Sequence, residues 1–441
     1  MNTRTSSAAP HVSLPALLRG NRNYRYAWMS QFLSECADNF NMLTVFSLAL
    51  EFTGSGMVIG NLMLARAIPM ILAGPFAGIA LDRWPRKSVL MGSNLARAAV
   101  ALCFYFAASE GRTWLLYPLS SALMFAAPFF TSGRTAILPS ITDQDELHTA
   151  NSLTQLTSFG AVTIGMFFGG FVISALGYKT AFVANAFLLA ASAWLVSRVR
   201  VPREQDPPVP NTLNETDVAR PWRDYREGLR YLAATPLMLG IALVHVGWAS
   251  GGGSAQVLFA LFGDQVFGQG PGGIGLLWGA AGLGLLAGGI LTHMFGRHIS
   301  FERYKKTIIF CHLLHGVSYM LFSQAPNLWT ALIFVALSRV GLAVSQILNH
   351  TQLLIHVAEA YRGRVFSTIE SLTWAMVMLS VTATGVASET ADPRIIGLCA
   401  GFASSLTAVG WGWANHKGRL PEPSLRGIEP EEVEVRGVPR A

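Results

Sequence analysis

Two carboxylates, Glu35 and Asp38, stand three residues apart inside an apolar run that begins near residue 26. That spacing places both on one face of a helix. Gln31 and Met42 extend the face to a stripe about three turns long, and Asn39 lies beside it. Counted from the Arg25 end, Asp38 lies about 18 Å into the run at 1.5 Å per residue. A pair of acids facing hydrocarbon at that depth is too costly, so the stripe must line a polar interior. Two chemistries are open to such acids. They can be neutralised by fixed cations and hold helices together, or one of them can take up and release protons. The cations in reach are Arg66 and Arg97, about 22 Å and 14 Å deep in the next two apolar runs. An arginine partner keeps a carboxylate ionised, whereas a carboxyl left alone in an apolar site moves toward neutrality. Only an acid without a permanent cation can exchange protons near neutral pH, and the sequence does not assign the pairs.

The second half of the chain has fewer candidates. Arg339 and Glu370 are its charges well inside apolar runs, about 16 Å and 9 Å deep, and a salt bridge between them is expected. His245 and Gln256 are candidates to line a cavity. His312 and His315 lie three residues apart without a carboxylate or thiol in register, so packing is expected rather than a metal site. The glycine-rich stretch Gly270 to Gly289 fits a close-packed helix, not a phosphate loop or a dinucleotide fingerprint.

The elements that position these residues are helices in a bilayer. Of 441 residues, 51% are hydrophobic and 13% charged, and the mean hydropathy is +0.41. A soluble protein carries about a quarter charged residues, so this composition indicates a polytopic membrane protein. Twelve apolar segments are expected at 26–50, 57–81, 88–109, 113–138, 151–176, 179–197, 236–262, 272–295, 303–323, 327–350, 364–387 and 393–414. The fold class expected is therefore an all-α membrane protein with twelve transmembrane helices in two six-helix bundles, both termini cytoplasmic. Its parts would be a cytoplasmic leader 1–25, bundles at 26–197 and 236–414, a linker 198–235, and a disordered acidic tail 415–441. Within the linker, Asp224 to Tyr231 is expected to form a short amphipathic helix on the membrane surface.

Charge placement fits this topology. The isoelectric point near 9.4 could suggest a polyanion ligand. Yet most of the 32 Lys and Arg fall on the expected cytoplasmic side, leaving Arg112, Lys179 and Arg394 opposite. No nucleic acid is needed to explain the basic balance. The four cysteines show no CxxC spacing and are expected as free thiols. Met1 to Arg25 has no apolar stretch of signal-peptide type. No loop of the Gly-x4-Gly-Lys-Ser/Thr kind is present, which argues against a nucleotide-driven pump. Neither His-x4-Asp nor a Ser-His-Asp or metal-ligand set stands at a membrane surface, so an acyl- or glycosyl-transferase is disfavoured. A non-transporting receptor would be expected to carry further signalling domains. No cofactor or metal is expected.

The short connection after the second apolar run reads Gly78-Ile79-Ala80-Leu81-Asp82-Arg83-Trp84-Pro85-Arg86-Lys87. Gly-x-x-x-Asp-Arg-x-x-Arg-Lys resembles the signature loop of the major facilitator superfamily. Ala161-x-x-x-Gly165-Met166-x-x-Gly169-Gly170 resembles the superfamily's glycine-rich antiporter motif, with Met166 where that motif has proline. Its small residues would still allow close helix packing, without the proline kink. The second-half loop Gly296 to Lys306 is basic but lacks the Asp-Arg pair. Further patterns are Asn21-Arg22-Asn23-Tyr24, Arg134 to Pro139, Ala150-Asn151-Ser152-Leu153, Asp224 to Tyr231 and Arg362-Gly363-Arg364-Val365-Phe366-Ser367. Together they resemble the branch that holds the enterobactin exporter and macrolide efflux proteins. The resemblance implies a monomeric, multi-pass exporter of the bacterial inner membrane that works by alternating access, with protons as the usual coupling ion. Substrate would bind between the halves; sodium coupling, a lysophospholipid flippase or a facilitator without antiport remain alternatives. Gly78, Asp82, Arg83, Arg86 and Lys87 would then gate the inner face, with Arg134 joining Asp82 and Arg83 in a latch. Gln31, Glu35, Asp38, Asn39, Arg66, Arg97, His245 and Gln256 would form the coupling and cavity set, in contact with a small-molecule substrate, protons and membrane lipid.

Overall fold

The computed structural model describes residues 14–109, 112–200, 216–296 and 299–423. The expected disordered tail lies almost wholly outside them. The described residues form helices only: α1 (Leu14–Gly20), α2 (Arg22–Thr53), α3 (Gly56–Arg83), α4 (Arg86–Ala107), α5 (Leu116–Ile141), α6 (Gln144–Arg198) and α7 (Thr216–Ala234). There follow α8 (Pro236–Gly252), α9 (Ala255–Leu261), α10 (Gly270–Phe295), α11 (Phe301–Ser323), α12 (Leu328–His356), α13 (Glu359–Ala387) and α14 (Pro393–His416). Each apolar segment expected from the sequence falls on helix. Nine helices among the described residues are long and apolar enough, by length and composition, to cross a membrane. That count treats the 55-residue α6 as one, and it omits α2 and α11, which are 32 and 23 residues long but more polar. Their polar groups are turned inward: Gln31, Ser34 and Asn41 on α2, and His312, His315 and Ser318 on α11, are all buried.

Two breaks have identifiable causes. At Gly177 in α6 the backbone turns to φ +77°, a conformation that costs glycine little. It separates the two apolar segments anticipated on either side. The seventh segment, expected as one helix over 236–262, is interrupted after α8 and resumes as α9, then closes in a π turn at Phe262–Val266. Gly251, Gly252 and Gly253 stand at the interruption. A side chain on Gly251 would collide with the Ala400 carbonyl and Ser404, so glycine there permits close approach of α14.

The chain divides into two compact units: Met1–Phe52 with Leu64–Pro210, and Thr53–Met63 with Asn211–Ala441. In the first, α6 closes on α2. A Cβ at Gly165 would lie 2.6 Å from the Cys36 carbonyl oxygen, and one at Gly169 would touch Phe40. Met166, the residue at the motif's proline position, is fully buried. The glycine motif therefore packs against the helix that carries Glu35 and Asp38. Phe104 of α4 stacks on Phe182 of α6 at 5.1 Å.

In the second unit, α7 is longer than the eight residues anticipated and docks on α13. Glu227, 4% exposed, pairs with Arg364 at 2.9 Å and Arg223 at 3.2 Å. Tyr231 stacks on Tyr361 at 5.1 Å, and burial raises its phenol above the ordinary range. A Cβ on Gly228 would strike Thr368 and the Arg364 carbonyl. The patterns at 224–231 and 362–367, distant in sequence, thus meet as one joint. A second cluster of buried residues includes Phe259, Phe262, Leu277, Tyr319, Phe322 and Val335.

Candidate functional site

The α2 face of the first unit is a polar seam in which each buried cation has an acceptor. Asp38 pairs with Arg97 of α4; the arginine side chain is 1% exposed and the aspartate side chain 30%. Arg97 also donates to Ser34 Oγ at 3.0 Å and Asn94 Oδ1 at 2.9 Å. Asn94 in turn donates to Ser192 Oγ at 2.8 Å, which bonds the Ser30 carbonyl at 2.7 Å. The guanidinium is thus held from α2 and α4, with α6 behind it, and its geometry does not depend on Asp38 alone. The carboxylate, in contrast, is the half-open member of the pair.

Arg66 makes no ion pair with either acid. It donates to Asn41 Oδ1 at 3.0 Å, and Asn41 and Asn185 continue the line to the Ala37 carbonyl. Glu35 accepts from Gln31 Nε2 at 2.8 Å, and Gln31 Oε1 accepts from Arg134 at 3.0 Å. Asn39 donates to the backbone carbonyl of Glu35 at 2.8 Å. The ambiguity left by the sequence is resolved geometrically: Arg97 belongs to Asp38, and Glu35 meets Arg134 only through an amide.

Arg134 therefore differs from expectation. Its guanidinium turns toward α2 and α6, reaching Gln31 and Thr154, instead of joining Asp82 and Arg83. Buried acceptors on those helices compete better for a half-buried cation than an exposed carboxylate that water already solvates. Asp82 and Arg83 are exposed at the end of α3. The loop's other cations bind helix carbonyls: Arg86 donates to Ala136 at 2.9 Å and Lys87 to Ser197 at 2.6 Å. Ser197 lies in the last turn of α6, where carbonyls lack intrahelical donors and attract cations. Gly78 sits in α3 with open space around its Cβ position.

In the second unit the expected Arg339–Glu370 bridge is not formed. Glu370 is exposed on α13, one residue off the inward stripe of Val365, Thr368 and Ile369. A step of one residue turns a helical side chain about 100°, which carries it away from α12. Arg339, 6% exposed, lies 5.5 Å over the Phe259 ring. His245 Nδ1 lies 2.8 Å from the Ile241 carbonyl, within its own helix, beside a small void shared with Trp248 and His312. Gln256 is half-buried, and its Oε1 is sealed without a bonding partner. His312 Nε2 meets Ser345 Oγ at 2.9 Å, and His315 Nδ1 meets Ser338 Oγ at 2.7 Å. Among the described residues, no group of His, Cys, Asp or Glu is placed to hold a metal.

The sequence reading missed the uncharged part of the seam: Ser30, Ser34 and Asn41 on α2, Asn94 on α4, Asn185 and Ser192 on α6. The signal was available, since residues 30, 34, 38 and 41 repeat at three- and four-residue intervals on one face. Attention to charge alone passed over it.

Long apolar helices with buried ionic and amide groups on interior faces define a polytopic membrane protein. The family model described as Major Facilitator Superfamily matches residues 27–381, and the chain belongs to that family. Among curated relatives, the enterobactin exporter EntS of Shigella boydii serotype 18 is 25% identical over 72% of this chain and 70% of its own length. Macrolide efflux protein A of Streptococcus pyogenes is 21% identical, covering 78% of this chain and 84% of that protein. Among solved structures, the nucleoside transporter NupG superposes with a TM-score of 0.65 at 13% identity, over 89% of this chain and 98% of that one. That likeness concerns the fold alone.

Proposed function

We propose that this transporter is a secondary active exporter of small amphipathic molecules, siderophores or drugs among them, driven across the bacterial inner membrane by proton entry. The efflux proteins among its relatives support the direction of transport. The observation that carries the coupling is the asymmetry of the Asp38–Arg97 pair. The arginine keeps its own bonds to Ser34 and Asn94, while the carboxylate stays partly accessible. Protonation of Asp38 would release it without unseating Arg97, so the pair can open and close as one proton is carried. Glu35, bonded to an uncharged amide, is the second acid of the seam and the candidate for contact with polar parts of substrate.

The experiment is substrate-induced proton movement in proteoliposomes. Asp38→Asn is expected to abolish uphill export while downhill exchange of substrate survives, and Glu35→Gln is expected to be milder. Substrate-dependent proton flux retained by Asp38→Asn would show the pair to be structural. Transport without any proton movement in the unsubstituted protein would instead point to a facilitator.

A further inference from the structure

Arg339 stands apart from the other interior cations. Arg97 has three bonded acceptors, Arg134 two and Arg66 one. No described residue hydrogen-bonds or ion-pairs with the Arg339 guanidinium, although the residue is only 6% exposed. A guanidinium offers five N–H donors, and burying it without an anion or acceptors is costly. What lies against it is an aromatic face. Phe259 lies beneath it, packed on Trp278 at 5.0 Å, Phe322 at 5.5 Å and Tyr319 at 6.4 Å. Two polar atoms of these helices are sealed and unbonded: Nε2 of His315, whose other nitrogen bonds Ser338 next to Arg339, and Oε1 of Gln256, one turn from Phe259.

Charge bookkeeping points the same way. The interior of the first unit holds Arg66, Arg97 and Arg134 against Glu35 and Asp38; in the second, Lys305 pairs with Glu302 and Glu227 with Arg364 and Arg223, while Arg339 is left with Glu370 turned outward. The cations are in surplus.

We propose that Arg339 is an anion-recognition site for the transported molecule, whose chemistry is therefore a carboxylate or similar oxyanion on an aromatic body. The oxyanion would take the guanidinium fork, and the ring would lie on the aromatic side of the site that Phe259 marks. This deepens the transport reading above and rests on it for the identity of the ligand as cargo.

The test uses the full-length protein in nanodiscs with a matched pair of probes, 2-naphthoate and its uncharged amide, in equilibrium dialysis. The unsubstituted protein is expected to bind the acid at least about tenfold tighter than the amide, the lower end of what charge-assisted hydrogen bonds provide. Arg339→Gln should erase that preference by weakening the acid alone. Arg339→Lys should weaken it but keep the order, which covers the case that Arg339→Gln misfolds. Equal binding of acid and amide, no binding of either at millimolar concentration, or an unchanged preference in well-folded Arg339→Gln would overturn the proposal. Naphthoate bound but never accumulated by inverted proteoliposomes would sink the export reading while leaving the anion site standing.

Discussion

The two units treat their most buried arginines in opposite ways. In the first, each of the interior arginines is met by a side-chain acceptor of the protein: Asp38, Ser34 and Asn94 for Arg97, Asn41 for Arg66, Gln31 and Thr154 for Arg134. On α12 of the second, Arg339 has aromatic neighbours and no acceptor among the described residues. A satisfied cation costs the fold little and moves only when its partner changes state. An unsatisfied one is a standing demand for a ligand. Under the proposals above, coupling would fall to the first unit and recognition to the second.

The most forceful way to break that contrast is to unpair the first unit. Arg97→Gln strands Asp38, and removing one member of a buried pair costs about 3–5 kcal/mol. Since the aspartate side chain is 30% exposed, the low end is expected, about 3 kcal/mol. It should appear as a marked fall in melting temperature of the detergent-solubilised protein. The double variant Arg97→Gln with Asp38→Asn should recover part of the loss, because no charge is then left alone; full additivity of the two changes would deny the pairing.

A smaller effect is expected where helix approach holds the seam together. Gly165→Leu places atoms against the Cys36 carbonyl and Asn39. Overpacking of this kind costs about 1–3 kcal/mol. It should also displace α2 and lower export more than the stability loss explains. Export that tracks melting temperature alone would show α6 to be a passive wall.

The smallest effect is expected at Glu370. Lying exposed on α13 and unpaired with Arg339, it can become Gln with a stability change within about 0.5 kcal/mol. A loss several times that size would mean that Arg339 does find this carboxylate in another state, and the contrast between the units would fail.

The sequence by itself determined the class. Apolar runs of spanning length, cations collected in short connections, and the Gly78 to Lys87 and Ala161 to Gly170 patterns are local, so spacing along the chain carries them. The positions of Asp38, Arg66, Arg97 and Arg339 along their helices were legible for the same reason, since helix rise converts residue number into distance. What only the tertiary structure decided is which of these groups meet. Arg66 and Arg97 were equivalent partners by depth, and the choice of Arg97 depends on how α4 is rotated against α2, set by packing around Ser34, Asn94 and Ser192. The Arg339–Glu370 bridge and the Arg134–Asp82 latch were expected because the differences in depth lay within about two turns of helix, a span long side chains can cover. They fail because a helix presents each residue in one direction, and a single step along it turns a side chain about 100° away. Rise can be read from a sequence; rotation about the helix axis is fixed only when the helices pack.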